Sequence, residues 1–496
     1  MTTQMQSVSP GAAGIPFWAV SRFLDTLQQL DTEPHAFLAA RHGKLVLEGY
    51  WAPYGKGVIH GCQSLTKTVT GIALGAAIQE GILKLDERLI DLFPEYRIHT
   101  EGRPWWEELR VRHIATMSAG MESQPDVTAP DWVERFFQEE IVHRPGTAYF
   151  YNSIACSMVG ACIRKRAGSG LMEYLSGHIF QKLGIDPQRI LWHKHADGLE
   201  NGSGGLVSTV RDNALLMELY RSRGMWQGER LLGEEWVDFA LRIQNNACPG
   251  NAAYGGLLWV RDGCFMADGA MGQWAMLFPE KDMVVSIQQT IASPTADEAV
   301  RGAVFDLVAA AGENPVLWSG EENRAFSERI HTLSIPAPAY GEDPSLLHSL
   351  SGKTLRVVQG TARFFADDLS IFNKAYQAPV QSFRFEEDHG DLLLTVTAAG
   401  GVVVCPVAFK GYRTVSNLKP VSENPARMAC VTGRFQEDGS MCLEIRWLES
   451  CRIHHLTFCF DEEGADITTS RVPVGGFDVP DETARALWVQ EKNKGG

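Results

Sequence analysis

Ser64-Leu65-Thr66-Lys67-Thr68-Val69-Thr70-Gly71-Ile72-Ala73-Leu74-Gly75-Ala76-Ala77-Ile78-Gln79 opens on an S-x-x-K pair and runs on with apolar and small residues on nearly every face. A segment apolar all round reads as a helix buried inside a fold, and Gly81 is suited to end it. Three helical residues turn the side chains through about 300°, leaving Ser64 and Lys67 about 60° apart on one face. The amine therefore reaches the hydroxyl. Burial disfavours a charged lysine, so Lys67 can accept or relay the serine proton. The helix N-terminus brings backbone N–H groups towards a developing oxyanion. A second S-x-x-K, Ser416-Asn417-Leu418-Lys419, runs directly into Pro420 among β-like runs, where no helix need align its two side chains.

Before this helix, Pro16 to Leu30 carries apolar residues at helical spacing, and Ala36–Ala40 and Leu45–Gly49 flank a Gly-containing turn as a hairpin. Beyond it, about residues 86–244 are mostly helical in pattern. Strand-like runs return at Gly255–Val260, Cys264–Ala267, Gln273–Phe278 and Met283–Thr290, and a helix follows over Ala296–Ala311. Strands at both ends of a helical insertion predict one α+β unit whose sheet draws on both ends. Its α/β part is about residues 15–85 and 245–333, within a unit of residues 1–333. A Pro-rich linker is expected over 334–344. After it, runs at Leu355–Gln359, Ser382–Glu386, Leu392–Thr397, Val402–Val407, Met441–Trp447 and Ile453–Phe460 predict an antiparallel β-barrel or sandwich within residues 345–496.

Two further stretches bear chemistry. Pro145-Gly146-Thr147-Ala148-Tyr149-Phe150-Tyr151-Asn152-Ser153 is an aromatic turn entering an apolar run, and a tyrosine beside a lysine ammonium has its phenolate stabilised. Asp268-Gly269-Ala270-Met271-Gly272-Gln273 lies between two strand runs; Gly269 and Gly272 let backbone approach a ligand closely, and a main-chain N–H there suits an oxyanion. G-x-S-x-G, H-E-x-x-H and the P-loop pattern are absent, so no cofactor or metal is implied. The mixed cluster Cys451, His454, His455 and Cys459 is too extended along a strand to hold one zinc.

The 496 residues hold 45 Lys+Arg against 60 Asp+Glu, a net charge of −15, with 45% hydrophobic residues. Ample core material and no basic run argue for a globular protein that binds neither nucleic acid nor membrane. Met1–Pro16 lacks the pattern of a secretory signal, and a cytoplasmic location is expected. The ten cysteines include no C-x-x-C pair and read as reduced thiols.

The ordered set of S-x-x-K at 64, P-G-T-x-x-x-Y near 150 and G-x-x-G-Q near 270, with Gly204-Gly205-Leu206-Val207-Ser208-Thr209 between, resembles the β-lactamase-related serine hydrolases over about residues 15–315. That superfamily includes class C β-lactamases, penicillin-binding proteins, family VIII esterases, D-aminopeptidases and 6-aminohexanoate-dimer hydrolase. The resemblance implies a β-lactamase/transpeptidase-like fold, an antiparallel sheet with helices plus an all-helical part. It also implies a Ser64 nucleophile, proton transfer by Lys67 and Tyr151, and an oxyanion hole from the N–H groups of Ser64 and Ala270. Gly269, Gly272, Gln273, Asn152, Ser153 and Asp268 are the accompanying candidates for oxyanion or substrate contacts. Two departures matter. Ser153 stands where the family's Y-x-N has Asn, and Ala267-Asp268-Gly269 stands where β-lactamases have K-T-G. The missing cation lowers the expectation of β-lactamase activity and favours an ester, amide or short-peptide substrate. D-amino-acid peptidase activity, β-lactamase activity and a catalytically silent peptide or cell-wall-fragment binder are the alternatives. Asp268 either attracts a substrate ammonium or is a solvated turn residue. The C-terminal unit is similar to the lipocalin-like modules of some members, which implies a cap over the cleft or homo-oligomer contacts.

Overall fold

The computed structural model describes residues 5–30, 32–125, 129–246, 248–249, 252–291, 293–336, 344–364, 379–399, 401–412, 414–415, 428–450, 453–471 and 480–489. The second S-x-x-K, most of the expected linker (337–343) and Cys451 lie outside them.

A seven-stranded antiparallel sheet draws on both ends of the first 310 residues. Helix α1 (Phe17–Gln29) precedes β1 (Thr32–Arg41) and β2 (Lys44–Tyr50), and α2 (Thr66–Gln79) follows. After helices α3 (Ser153–Ala167) and α4 (Val210–Arg221) come β3 (Ala253–Tyr254), β4 (Trp259–Arg261), β5 (Cys264–Gly269), β6 (Gln273–Phe278), β7 (Met283–Ile291) and α5 (Pro294–Ala309). The strand order is β2-β1-β7-β6-β5-β4-β3. Side chains alternate along the central strands. On β7, Val285 and Ile287 join α1 and α5 in one core, whereas Val284 joins α2, α3 and α4 in the other. Helix α2 is buried on all sides; a Cβ at Gly75 would collide with the Trp236 indole, so small residues are what allow this packing.

Gly255–Val260 is not one strand. The chain pairs at Ala253–Tyr254, bends through Gly255–Leu258 and pairs again at Trp259–Arg261. A side chain at Gly255 would meet the Ala240 carbonyl, and Leu257, with φ of 55°, donates its N–H to Ala115 O. Contact with the helical part breaks the strand here.

Nine strands between 354 and 488 close a barrel. Thr354–Gly360, Val380–Asp388, Asp391–Ala398 and Gly401–Ala408 form one run, and Ala429–Phe435, Met441–Trp447, Ile453–Phe460, Gly464–Arg471 and Glu482–Trp488 the other. Thr354–Gly360 pairs with Glu482–Trp488, and Gly401–Ala408 closes the ring on Ala429–Phe435 in parallel register, Val407 facing Val431. All other pairings around the ring are antiparallel.

The barrel packs into the first unit rather than hanging from it. Val207 enters the barrel core and Leu448 enters the core behind the sheet. The buried Arg446 of the barrel donates through Nε (3.0 Å) and Nη2 (2.5 Å) to the Glu33 carboxylate on β1, and also pairs with Glu444. Glu33 in turn faces His35 (3.1 Å), which is hydrogen-bonded to His60 (2.9 Å). One residue on, the Gly61 N–H donates to Glu449 O of the barrel (2.8 Å). No helix among the described residues is long and apolar enough to cross a membrane.

Candidate active site

Ser64 lies in a 3-10 turn, Gln63–Leu65, that feeds directly into α2. Sequence spacing predicts a helix from Ser64 itself; the turn tightens because Gln63 takes a left-handed conformation, φ 50°. That conformation is rare and costly outside glycine, on the order of 1–2 kcal/mol, and it leaves Ser64 half-buried at the start of the helix. Lys67, only 2% exposed, donates from Nζ to Ser64 Oγ at 3.0 Å and to Ser203 O at 2.8 Å.

Tyr151 meets Lys67 with its ring. The Nζ atom sits 4.8 Å from the ring centroid, within cation–π range, and its hydrogen bonds go to Ser64 and Ser203. Tyr151 also stacks on Trp259 of β4 (5.7 Å between centroids, 22° between planes), which touches Tyr149 and Tyr254. Ser64, Tyr149, Tyr151, Trp259 and Ala270 are half-buried, so the hydroxyl and an aromatic wall share partial access to solvent.

The β5–β6 turn closes the other side. A Cβ on Gly269 would run into Cys62 O and stand 3.1 Å from Leu65 N, so β5 lies directly against the Ser64 turn and places Ala270 beside it. Met271 (φ 67°) and Gly272 (φ 82°) supply the left-handed pair that reverses the chain. At Gly272 a Cβ would also strike Gln289 and Ile291. Gly269→Ala is expected to push the turn off Ser64 and lower kcat by about 100- to 1000-fold with KM little changed, as in the loss of one oxyanion donor. Steady-state kinetics on an activated ester checks this; unchanged kcat contradicts the packing.

Three candidates have their side chains engaged within the protein. Gln273 is fully buried, and its amide Nε2 donates to Met271 O (3.1 Å) and Gln289 O (2.5 Å), tying the turn down. Asn152 is the N-cap of α3: its Oδ1 accepts from Ala155 N–H (2.8 Å) and its Nδ2 donates to Ser123 O (3.2 Å). Asp268 is neither a solvated turn residue nor an open anion. It accepts from Trp274 Nε1 (3.0 Å) and Arg301 Nη1 (3.3 Å), and burial holds its carboxyl above the ordinary range despite that arginine. Strand alternation puts Asp268 on the α5 face, away from Ser64, while its neighbour Ala267 is buried on the α2 face. Ser153 is buried, its N–H held by Gln124 Oε1 at 2.8 Å. Cys62, two residues before Ser64, is a buried thiol pushed up by desolvation to about 11, so it is no competing nucleophile at neutral pH.

The Ser203 carbonyl and Gln63 carry no motif and are invisible to spacing arguments. Ser203 does lie in the Asn201-Gly202-Ser203-Gly204-Gly205 run, whose small polar residues signal a tight loop.

A sequence model of the Beta-lactamase family matches residues 25–310, more than half of the chain. The chain belongs to the β-lactamase family. Among named relatives, a β-lactamase of Yersinia enterocolitica is 28% identical over 177 residues, 35% of this chain and 42% of that protein. The 6-aminohexanoate-dimer hydrolase of Paenarthrobacter ureafaciens is 24% identical over 240 residues, 45% of this chain and 60% of that protein. Each match spans less than two thirds of the relative's length. A solved structure of a provisionally named 6-aminohexanoate-dimer hydrolase from Bacillus anthracis superposes on 63% of this chain and 89% of its own, with a TM-score of 0.50 and 17% identity, a likeness of fold. The β-lactamase family match ends before the barrel begins.

Proposed function

We propose that this β-lactamase family member is a serine hydrolase that cleaves an ester or amide of a small, neutral, largely apolar substrate. The observation that carries the reading is the 3.0 Å hydrogen bond between the buried Lys67 amine and Ser64 Oγ at the start of α2. Ser64 attacks the acyl carbon as its proton passes to Lys67 Nζ. The backbone N–H groups of Ser64 and Ala270 receive the oxyanion. The proton then goes to the departing alkoxide or amine, and water releases the acyl group by the reverse transfers. Tyr151 stacks its electron-rich face on the ammonium that forms and so stabilises it.

Two observations support the substrate class. Where a β-lactam carboxylate would need a cation, the chain has the buried Ala267, and the neighbouring Asp268 is turned away and neutralised by Arg301. The accessible wall next to Ser64 is aromatic, Tyr151 on Trp259 with Tyr149. Apolar acyl or aryl groups fit such a wall. The test is a panel of p-nitrophenyl acyl esters, D- and L-amino-acid amides and nitrocefin. We expect kcat/KM for the best ester to exceed that for nitrocefin by about 100-fold or more, since a missing charge pair costs roughly 2–3 kcal/mol. Comparable turnover of nitrocefin would overturn the substrate assignment.

A further inference from the structure

We propose that Asn201 is a positioning residue for the Lys67 amine, acting through the Ser203 carbonyl; the inference rests on the acyl-enzyme reading above. An amine that takes the proton of Ser64 must aim its lone pair at Oγ. Donating one N–H to a fixed acceptor sets the rotation of Nζ. Among the described residues that acceptor is Ser203 O, 2.8 Å away.

The residue that carries the carbonyl is held directly by one buried amide oxygen. Asn201 Oδ1 accepts from Ser203 N (3.0 Å), Ser203 Oγ (2.7 Å) and Ser157 Oγ of α3 (3.1 Å). The loop is clipped on its other side as well: Gly202 O accepts from Thr70 Oγ1 of α2 (2.7 Å), one turn beyond Lys67, and Trp192 Nε1 donates to Asn201 O (2.9 Å). Gly202 is tightly enclosed, since a Cβ would stand 3.2 Å from Ser157 Cα and 3.3 Å from Thr70 Oγ1. Asn201, Ser203 and Ser157 are all buried. Removing Oδ1 strands three buried donors at once. The loop must turn to satisfy them, and the Ser203 carbonyl turns with it. As Ser64 Oγ bonds to the acyl carbon, its proton then finds a misdirected Nζ, and the same atom is ill placed to deliver that proton to the leaving group.

The experiment is stopped-flow release of p-nitrophenol from p-nitrophenyl acetate by the full chain. In Asn201→Ala the burst rate constant should fall by about 10- to 100-fold, the cost of misplacing a reacting group by an ångström or so. Burst amplitude per folded molecule should stay the same and KM should change by less than about threefold. Asn201→Asp, which keeps an acceptor oxygen for the same donors, should recover most of the rate. A wild-type burst rate in Asn201→Ala overturns the proposal, and so does a loss confined to amplitude, because that marks a folding role only. If Asn201→Ala does not fold, Ser157→Ala removes one donor from the same oxygen and should slow the burst by about threefold; an unchanged burst there counts equally against it. Absence of an acyl adduct on Ser64 in wild-type protein quenched during turnover would instead sink the acyl-enzyme reading itself.

Discussion

Lys67→Met should abolish the acylation burst, lowering its rate constant by about 10³- to 10⁴-fold while the protein stays folded. Methionine fills nearly the same volume as the lysine stem, and the lysine is buried, 2% exposed inside a helix enclosed on every side. The cost in stability is one buried acceptor, Ser203 O, left without its donor, about 1–3 kcal/mol. The cost in rate is larger because no other amine is hydrogen-bonded to Ser64 Oγ among the described residues. Lys67→Arg should fare no better. A guanidinium keeps its proton, and its planar fork does not fit where one Nζ reaches both Ser64 Oγ and Ser203 O. Stopped-flow kinetics alongside thermal melting separates the two costs. A folded Lys67→Met protein with a burst within tenfold of wild type would remove lysine from the mechanism.

Arg446→Ala should destabilise the protein by about 3–5 kcal/mol, the usual penalty for leaving a buried charge without its partner. The guanidinium is 6% exposed and lies between Glu33 of the sheet and Glu444 of the barrel. Burial alone would raise the Glu33 carboxyl, yet hydrogen bonds from His35 and Arg446 hold it at about 2 against an ordinary 4.5. A carboxyl held below its unfolded value contributes stability that is complete above pH 4.5 and drains away as pH falls towards 2. In Arg446→Ala that acid-side slope should flatten, since burial then dominates Glu33. Urea unfolding of both proteins between pH 3 and 7 measures both effects. The double variant Glu33→Gln/Arg446→Met should recover much of the loss at neutral pH, because Glu33 is then uncharged and Glu444 keeps His455 at 3.5 Å. The same contact leads from the barrel towards the site: Glu33 reaches through His35 to His60, and Gly61 is bonded to the barrel, so that His60 and Gly61 lie within four residues of Ser64.

Local periodicity made the sheet, the buried helix and most barrel strands legible. Ser64 and Lys67 meet because one stretch of chain fixes both, so spacing alone is informative. The parts that sequence hides are those set by distant segments. Glu482–Trp488 reads Glu-Thr-Ala-Arg-Ala-Leu-Trp, a composition that favours helix, and becomes a strand only because Thr354–Gly360 and Gly464–Arg471 flank it. Asp268 looks like a turn residue until Arg301, 33 positions on, is folded against it. Gln273 and Asn152 are polar residues beside the motifs, and nothing local says that one ties down a turn and the other caps a helix. Tyr151 presents its ring to Lys67 because stacking on Trp259 orients it, a partner more than a hundred residues away. The Ser203 carbonyl is backbone, which no residue-type argument can single out.

The most direct measurement is mass spectrometry of the protein quenched during turnover of a p-nitrophenyl ester, followed by peptide mapping. The account requires one acyl mass per chain on the peptide carrying Ser64, and no such adduct or burst in Ser64→Ala. An adduct on another residue, or a Ser64→Ala protein that turns over at the wild-type rate, would contradict it.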